Sequence, residues 1–163
     1  MTNDITTYLK YANLQIAAES LFGVEPTDAP GKVSTAMSAL TLTSGNNRTS
    51  KFTGVQAQQF LADGWTVVEH ESNTKTGFSG TLFRNTQTGE FVLSFRSTEF
   101  ADDAARDNEA TNVLEVKQKG WAFGQIADMR NWVDGLYANG QIPAGAPLIR
   151  RPLANDERFE DAA

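Results

Sequence analysis

A chain of 163 residues, 40% apolar and 21% charged, has the length and composition of one soluble domain with its own core. A formal net charge of −6, with no cluster of Lys and Arg, excludes a phosphate track for nucleic acid and disfavours anionic membrane surfaces. Cysteine is absent, which excludes disulfides, thiolate catalysis and cysteine-based metal sites, and there is a single histidine, His70.

Met1-Thr2-Asn3-Asp4-Ile5 lacks the basic region and apolar core of a usual signal peptide, and no run is long enough to span a bilayer. Asn3 or Asp4 can cap a helix running to about Phe22, with Ile5, Leu9, Ala12 and Ile16 on one face, Tyr8 beside them and Gly23 as the stop. Glu25 to Lys32 reads as a loop. The segment to Leu42 is ambiguous: Val33, Met37 and Leu40 have helical spacing, whereas the Ser and Thr content opposes it. Residues 44–48 read as a turn or a flexible excursion. Thr53-Gly54-Val55-Gln56 then has the spacing of a capping box, opening a short helix through Ala57, Phe60 and Leu61 to Gly64.

Trp65 to His70 follows as a strand, and 72–77 as a polar turn. Gly80 to Arg84 and Glu90 to Phe95 are two strands joined by Asn85-Thr86-Gln87-Thr88-Gly89, which together make a hairpin. The second strand stops abruptly in Ser97-Thr98-Glu99-Phe100-Ala101-Asp102-Asp103. A strand that delivers small hydroxyl residues to a polar loop is a place where mixed folds put their chemistry. A helix is predicted from Gly120 to about Tyr137, with Phe123, Ile126, Ala127, Met129, Val133 and Leu136 as its apolar stripe and Asn139-Gly140 as its end. A further strand begins at Ala146. Antiparallel strands first and a helical crossover afterwards predict a mixed α/β sheet.

Val92-Leu93-Ser94-Phe95-Arg96-Ser97-Thr98 resembles the strand of class 3 lipases and related serine hydrolases that ends Phe-Arg-Gly-Thr/Ser. Gly120 to Met129 looks like the helix that precedes the nucleophile strand in that family. The likeness is closer to a group of bacterial lipase-like α/β hydrolases with a similar Phe-Arg-Ser-Thr-Glu-Phe segment followed by a stretch similar to Asp102–Asn112. The chain departs from the class 3 pattern at Ser97, where Gly is usual. The resemblance covers most of 1–149 and implies a serine hydrolase acting on an ester or lipid, with no cofactor. It places Thr98, beside Ser97, as the donor of an oxyanion-hole N–H. Arg96 would brace the loop against Asp102, Asp103 or Glu99, with Arg106 in the same loop. It also implies relatives that continue into calcium-binding repeats and are secreted without a cleaved signal, so both a cytoplasmic and a secreted location stay open.

The family's nucleophile sits on Gly-x-Ser-x-Gly just after the strand beginning at Ala146. That motif occurs nowhere in the 163 residues, and Arg150 to Ala163 reads as a divergent polar tail. The expected fold is a partial α/β-hydrolase-like sheet with flanking helices, truncated before the nucleophile strand is complete. The triad Asp and His are absent with the nucleophile, and His70, upstream on an early strand, reads as an ordinary strand histidine. The tail admits three readings: a frameshift product, a natural acidic tail, or a likeness to a ribosome-rescue peptide tag in Ala154-Asn155-Asp156-Glu157 through Ala163.

Three functional readings follow. One is a fragment of a lipase-like carboxylic-ester hydrolase that keeps the oxyanion strand and is inactive alone. Another is a non-catalytic binding module, its open sheet edge covered by a second copy or by the missing half. The third, acid–base chemistry by Asp102, Asp107 and Glu109, has no support in their spacing. The same carboxylates match no calcium-loop spacing and read as a solvated acidic loop, so no metal is expected. Trp121, Phe123 and Trp132 read as core aromatics before they read as an acyl pocket.

Overall fold

The computed structural model describes residues 5–20, 22, 37–45, 51–72, 74, 76–96 and 123–146. Among them the chain forms helices α1 (Ile5–Ala18), α2 (Ala39–Ser44) and α3 (Gly54–Ala62), strands β1 (Trp65–Glu71), β2 (Gly80–Asn85) and β3 (Phe91–Phe95), and helix α4 (Phe123–Ala138). The three strands make one antiparallel sheet in the order β1-β2-β3. Helices and sheet together bear out the α/β expectation at that level. Of the strand expected over 146–149, Ala146 is not in a strand and donates its N–H to the Pro143 carbonyl at 2.9 Å; the rest, and with it any parallel pairing, lies outside the described residues, as does the 150–163 tail.

Alternation along β2 sorts the core into two layers. Phe83 faces a cluster of Leu14, Ala17 and Ala18 of α1, Leu42, Phe52, Ala57 and Phe60, with Trp65 and Val67 of β1. Leu82 faces the opposite way, toward Leu136 and Ile142, with Val68, Leu93 and Trp132 packed around them. The sheet is therefore covered by α1 and α3 on one face and by α4 on the other. Aromatic rings dominate the first layer: Phe60 stacks on Trp65 at 6.4 Å and meets Phe83 edge-on at 6.3 Å.

Local chemistry explains most element boundaries. Thr53 caps α3 as its spacing predicts: its hydroxyl accepts from the Gln56 N–H at 3.3 Å while the Gln56 side chain accepts from the Thr53 N–H at 3.0 Å. Ser38 caps α2, accepting from the Thr41 N–H at 3.1 Å, so the ambiguous 33–42 segment is helical only after Ser38 among the described residues. The hairpin turn ends at Gly89 with φ of 74°, a backbone conformation that a side chain would strain.

Two predicted helix faces differ from those observed. In α1 the buried side chains are Leu14, Ala17 and Ala18, whereas Ile5 is 81% and Leu9 57% exposed. In α4 only Leu136 is fully buried; Trp132 packs on the sheet, while Phe123 and Ile126 are exposed. The reason is the same in both. An apolar count along a helix identifies candidates for burial, but the partner surface selects the face, and small or polar residues on that face are accepted because they permit close approach. Helix α1 also ends at Ala18, four residues before the expected Phe22.

Candidate functional site

The predicted site lies at the exit of β3. Strand β3 pairs with β2 through Phe95, opposite Gly80, and the Arg96 N–H extends the ladder to the Ser79 carbonyl at 3.0 Å. Arg96 is half-buried here. Ser97, Thr98, Asp102, Asp103 and Arg106 lie outside the described residues, so the hairpin is seen to carry the chain as far as Arg96.

Next to that exit, the structure assembles polar side chains that sequence reading left unconnected. His70 pairs with Thr81, and Thr81 with Ser94, across the three strands. All three are buried, on the face that α1 covers. The His70 Nδ1 lies 2.8 Å from the Thr81 hydroxyl, and the ring meets the Phe22 ring edge-on at 5.3 Å. Ser94 donates its hydroxyl to the Gln15 side-chain carbonyl at 2.9 Å, and the Gln15 amide donates to the Phe95 carbonyl at 2.8 Å. Helix α1 thereby holds the last residues of β3. Glu19 and Ser20, buried at the end of the same helix, extend the polar layer.

A bulge creates this row. The β1–β2 register slips between Val67 and Glu69, so Val68 is an extra residue in β1. Strict alternation would set His70 on the face opposite Trp65 and Val67; the slip returns it to theirs. Burial in that layer, with the Arg96 charge nearby, pulls the His70 imidazole down from its ordinary value to about 4, so the ring is neutral at pH 7. The strand reading of His70 holds. Its position beside the β3 exit could be suspected from one signal, Thr81 in the middle of the otherwise apolar Gly80–Phe83 run, but only the register confirms it.

On the opposite face, Glu71 lies in partial burial with Glu69 and Asp128 near it, and both effects push its carboxyl above the ordinary value. Asp128 accepts from the Thr76 hydroxyl at 2.7 Å, and Glu69 accepts from Gln141. No group of three or more His, Asp or Glu among the described residues converges to hold a metal ion. At the far end of the sheet a shallow depression of about 220 Å³ lies between α1 and the end of α3, lined by Leu9, Asn13, Phe60, Asp63 and Trp65. Its cation, Lys10, is engaged by Glu90 at 2.8 Å. No described helix is long and apolar enough to cross a membrane.

Comparison of the chain with protein-family models, with curated proteins and with solved structures finds no match to any of them.

Proposed function

We propose that the chain carries the oxyanion segment of a lipase-like carboxylic-ester hydrolase and does not turn over esters alone. The observation that supports this most is the anchored exit of β3. A paired strand, the Arg96–Ser79 backbone bond and the Gln15 clamp on the Phe95 carbonyl hold the chain rigidly just before Ser97 and Thr98. Oxyanion donors need that rigidity, because their effect depends on not reorganising when charge develops. In this reading the Thr98 N–H and hydroxyl meet the developing oxyanion, Arg96 braces the loop, and Asp102, Asp103 and Arg106 belong to its ion pairs. No Gly-x-Ser-x-Gly is present to supply the nucleophile.

The test has two readouts, made on the purified chain and on Thr98→Ala. Hydrolysis of p-nitrophenyl butyrate and of long-chain esters should stay at background for both. Tryptophan fluorescence should report binding of a long-chain ester by the wild type and weaker binding by the variant. Turnover that falls about 10²-fold in Thr98→Ala would reveal a serine nucleophile within the chain and overturn the inactive half-site. Absence of both turnover and ester binding would overturn the hydrolase reading itself.

A second reading, a non-catalytic interaction module, is favoured by the exposure of Ile5, Tyr8 and Leu9 together on α1. An apolar strip of this kind is a common mark of a protein contact.

A further inference from the structure

The two outer edges of the sheet are unlike. Strand β1 carries the Val68 bulge and the carboxylates Glu69 and Glu71, features that keep a sheet edge from pairing with another chain. Strand β3 carries neither. Phe91-Val92-Leu93-Ser94-Phe95 pairs with β2 without a break, has no proline and no charged side chain, and stands last in the order β1-β2-β3. The ladder fixes which of its backbone groups are used. The Glu90 carbonyl accepts from Asn85 at 2.8 Å and the Arg96 N–H donates to Ser79 at 3.0 Å, so by alternation Glu90, Val92, Ser94 and Arg96 turn their N–H and C=O toward β2. Phe91, Leu93 and Phe95 turn theirs outward. The Phe95 carbonyl takes the Gln15 amide at 2.8 Å. Among the described residues nothing bonds the outward groups of Phe91 and Leu93. The side chains agree with an open edge: β2 is buried along most of its length, whereas Phe91, Val92 and Leu93 are half-buried and Phe95 is 37% exposed.

We propose that the outer edge of β3 pairs antiparallel with β3 of a second copy of this chain, extending the sheet across a two-fold axis at Leu93. Self-complementarity selects this occupant. In that register Leu93 exchanges its N–H and C=O with Leu93 of the second copy, and Phe91 does so with Phe95, whose carbonyl keeps a second lone pair beside Gln15. Leucine then meets leucine, phenylalanine meets phenylalanine, and Val92 meets Ser94 on the face toward α1. At each end Glu90 comes opposite Arg96, so no like charges meet. Neither has to leave its own copy: Glu90 keeps Lys10 at 2.8 Å, and Arg96 keeps the interaction it already has. The inference rests on the interaction-module reading and deepens it, using the β3 edge rather than the α1 strip; it stands whether or not the chain is related to ester hydrolases.

Inward and outward amides alternate along one strand, and that alternation supplies the test. In the isotope-labelled wild-type chain, NMR should find the Val92 and Ser94 N–H exchanging slowly at every concentration. Those of Phe91 and Leu93 should exchange rapidly when dilute and slow roughly fourfold between about 10 μM and about 500 μM, as for a dimer dissociating at about 30 μM whose exchange runs through the free copy. Phe95→Lys, which sets a charge on the edge, should abolish that concentration dependence, and Leu9→Glu, which breaks the α1 strip, should leave it. Self-association in sedimentation velocity with Phe91 and Leu93 still exchanging rapidly would overturn the edge pairing and leave the α1 strip as the contact. Slow exchange of those two amides at every concentration would overturn it by showing the edge covered within one copy. Rapid exchange at every concentration would overturn it as well. If Phe95→Lys does not fold, the wild-type dilution series decides.

Discussion

His70 and Gly80 show how much a single position in this sheet can carry. His70 is accepted in the core because its neutral ring finds a hydroxyl, and the cost of charging it there appears as pH dependence. Its folded pKa lies below the unfolded value, so its contribution to stability is complete above about pH 6.5, declines between 6.5 and 4, and is gone below 4. The displacement corresponds to about 3 kcal/mol. Denaturant melts of the wild type across that window should therefore lose stability with falling pH, and the loss should be much smaller in His70→Gln. Glu71 acts with the opposite sign, since its raised carboxyl pKa costs stability as pH rises, so the difference between the two proteins isolates the histidine. Gly80 is a steric position. A Cβ there would stand 2.8 Å from the Trp132 ring, which is itself packed against Phe78 at 5.9 Å. Gly80→Ala should cost about 1–3 kcal/mol in a urea melt, and Gly80→Ala combined with Trp132→Leu should recover part of it.

At the scale of elements, the parts specified by neighbouring residues were legible and those specified by distant ones were not. The Thr53–Gln56 capping box, the hairpin turn at Asn85–Gly89 and the end of α4 at Asn139-Gly140 are local, and each is found where its residues predict. Thr53→Ala should lower stability by about 1 kcal/mol, and Thr53→Ser should restore it, both read from urea midpoints. The buried faces of α1 and α4 are not local. Gln15 is a polar residue on α1, yet it is tied at 2.9 and 2.8 Å to Ser94 and the Phe95 carbonyl, 79 and 80 residues away. Gln15→Ala should leave α1 helical while raising amide exchange at the end of β3. Unchanged protection there would show that the clamp does not hold the exit.

For the whole molecule, the question is what covers the apolar surface that the described elements leave outside. Ile5, Tyr8 and Leu9 on α1 and Phe123 and Ile126 on α4 are exposed on opposite sides of the sheet. Surfaces of this kind favour association. Sedimentation velocity should show reversible self-association at tens of micromolar (on the order of ordinary weak apolar contacts), reduced by Leu9→Glu. A strictly monomeric wild type at that concentration would contradict this.

By itself, the sequence determined the order of helices and strands, the hairpin, the α3 cap, and that neither cysteine nor a Gly-x-Ser-x-Gly motif occurs in the 163 residues. The segment after β3, which the sequence marks as the place of the chemistry, lies outside the described residues beyond Arg96. Of the residues named for that site, Arg96 alone lies among those described. Only the tertiary structure decided that His70, Thr81 and Ser94 form one buried row beside Arg96, and which faces of α1 and α4 are inside. The physical reason is register. A strand's side chains alternate with period two, so one bulged residue at Val68 reverses every inward and outward assignment after it, and no local preference announces where that residue will fall.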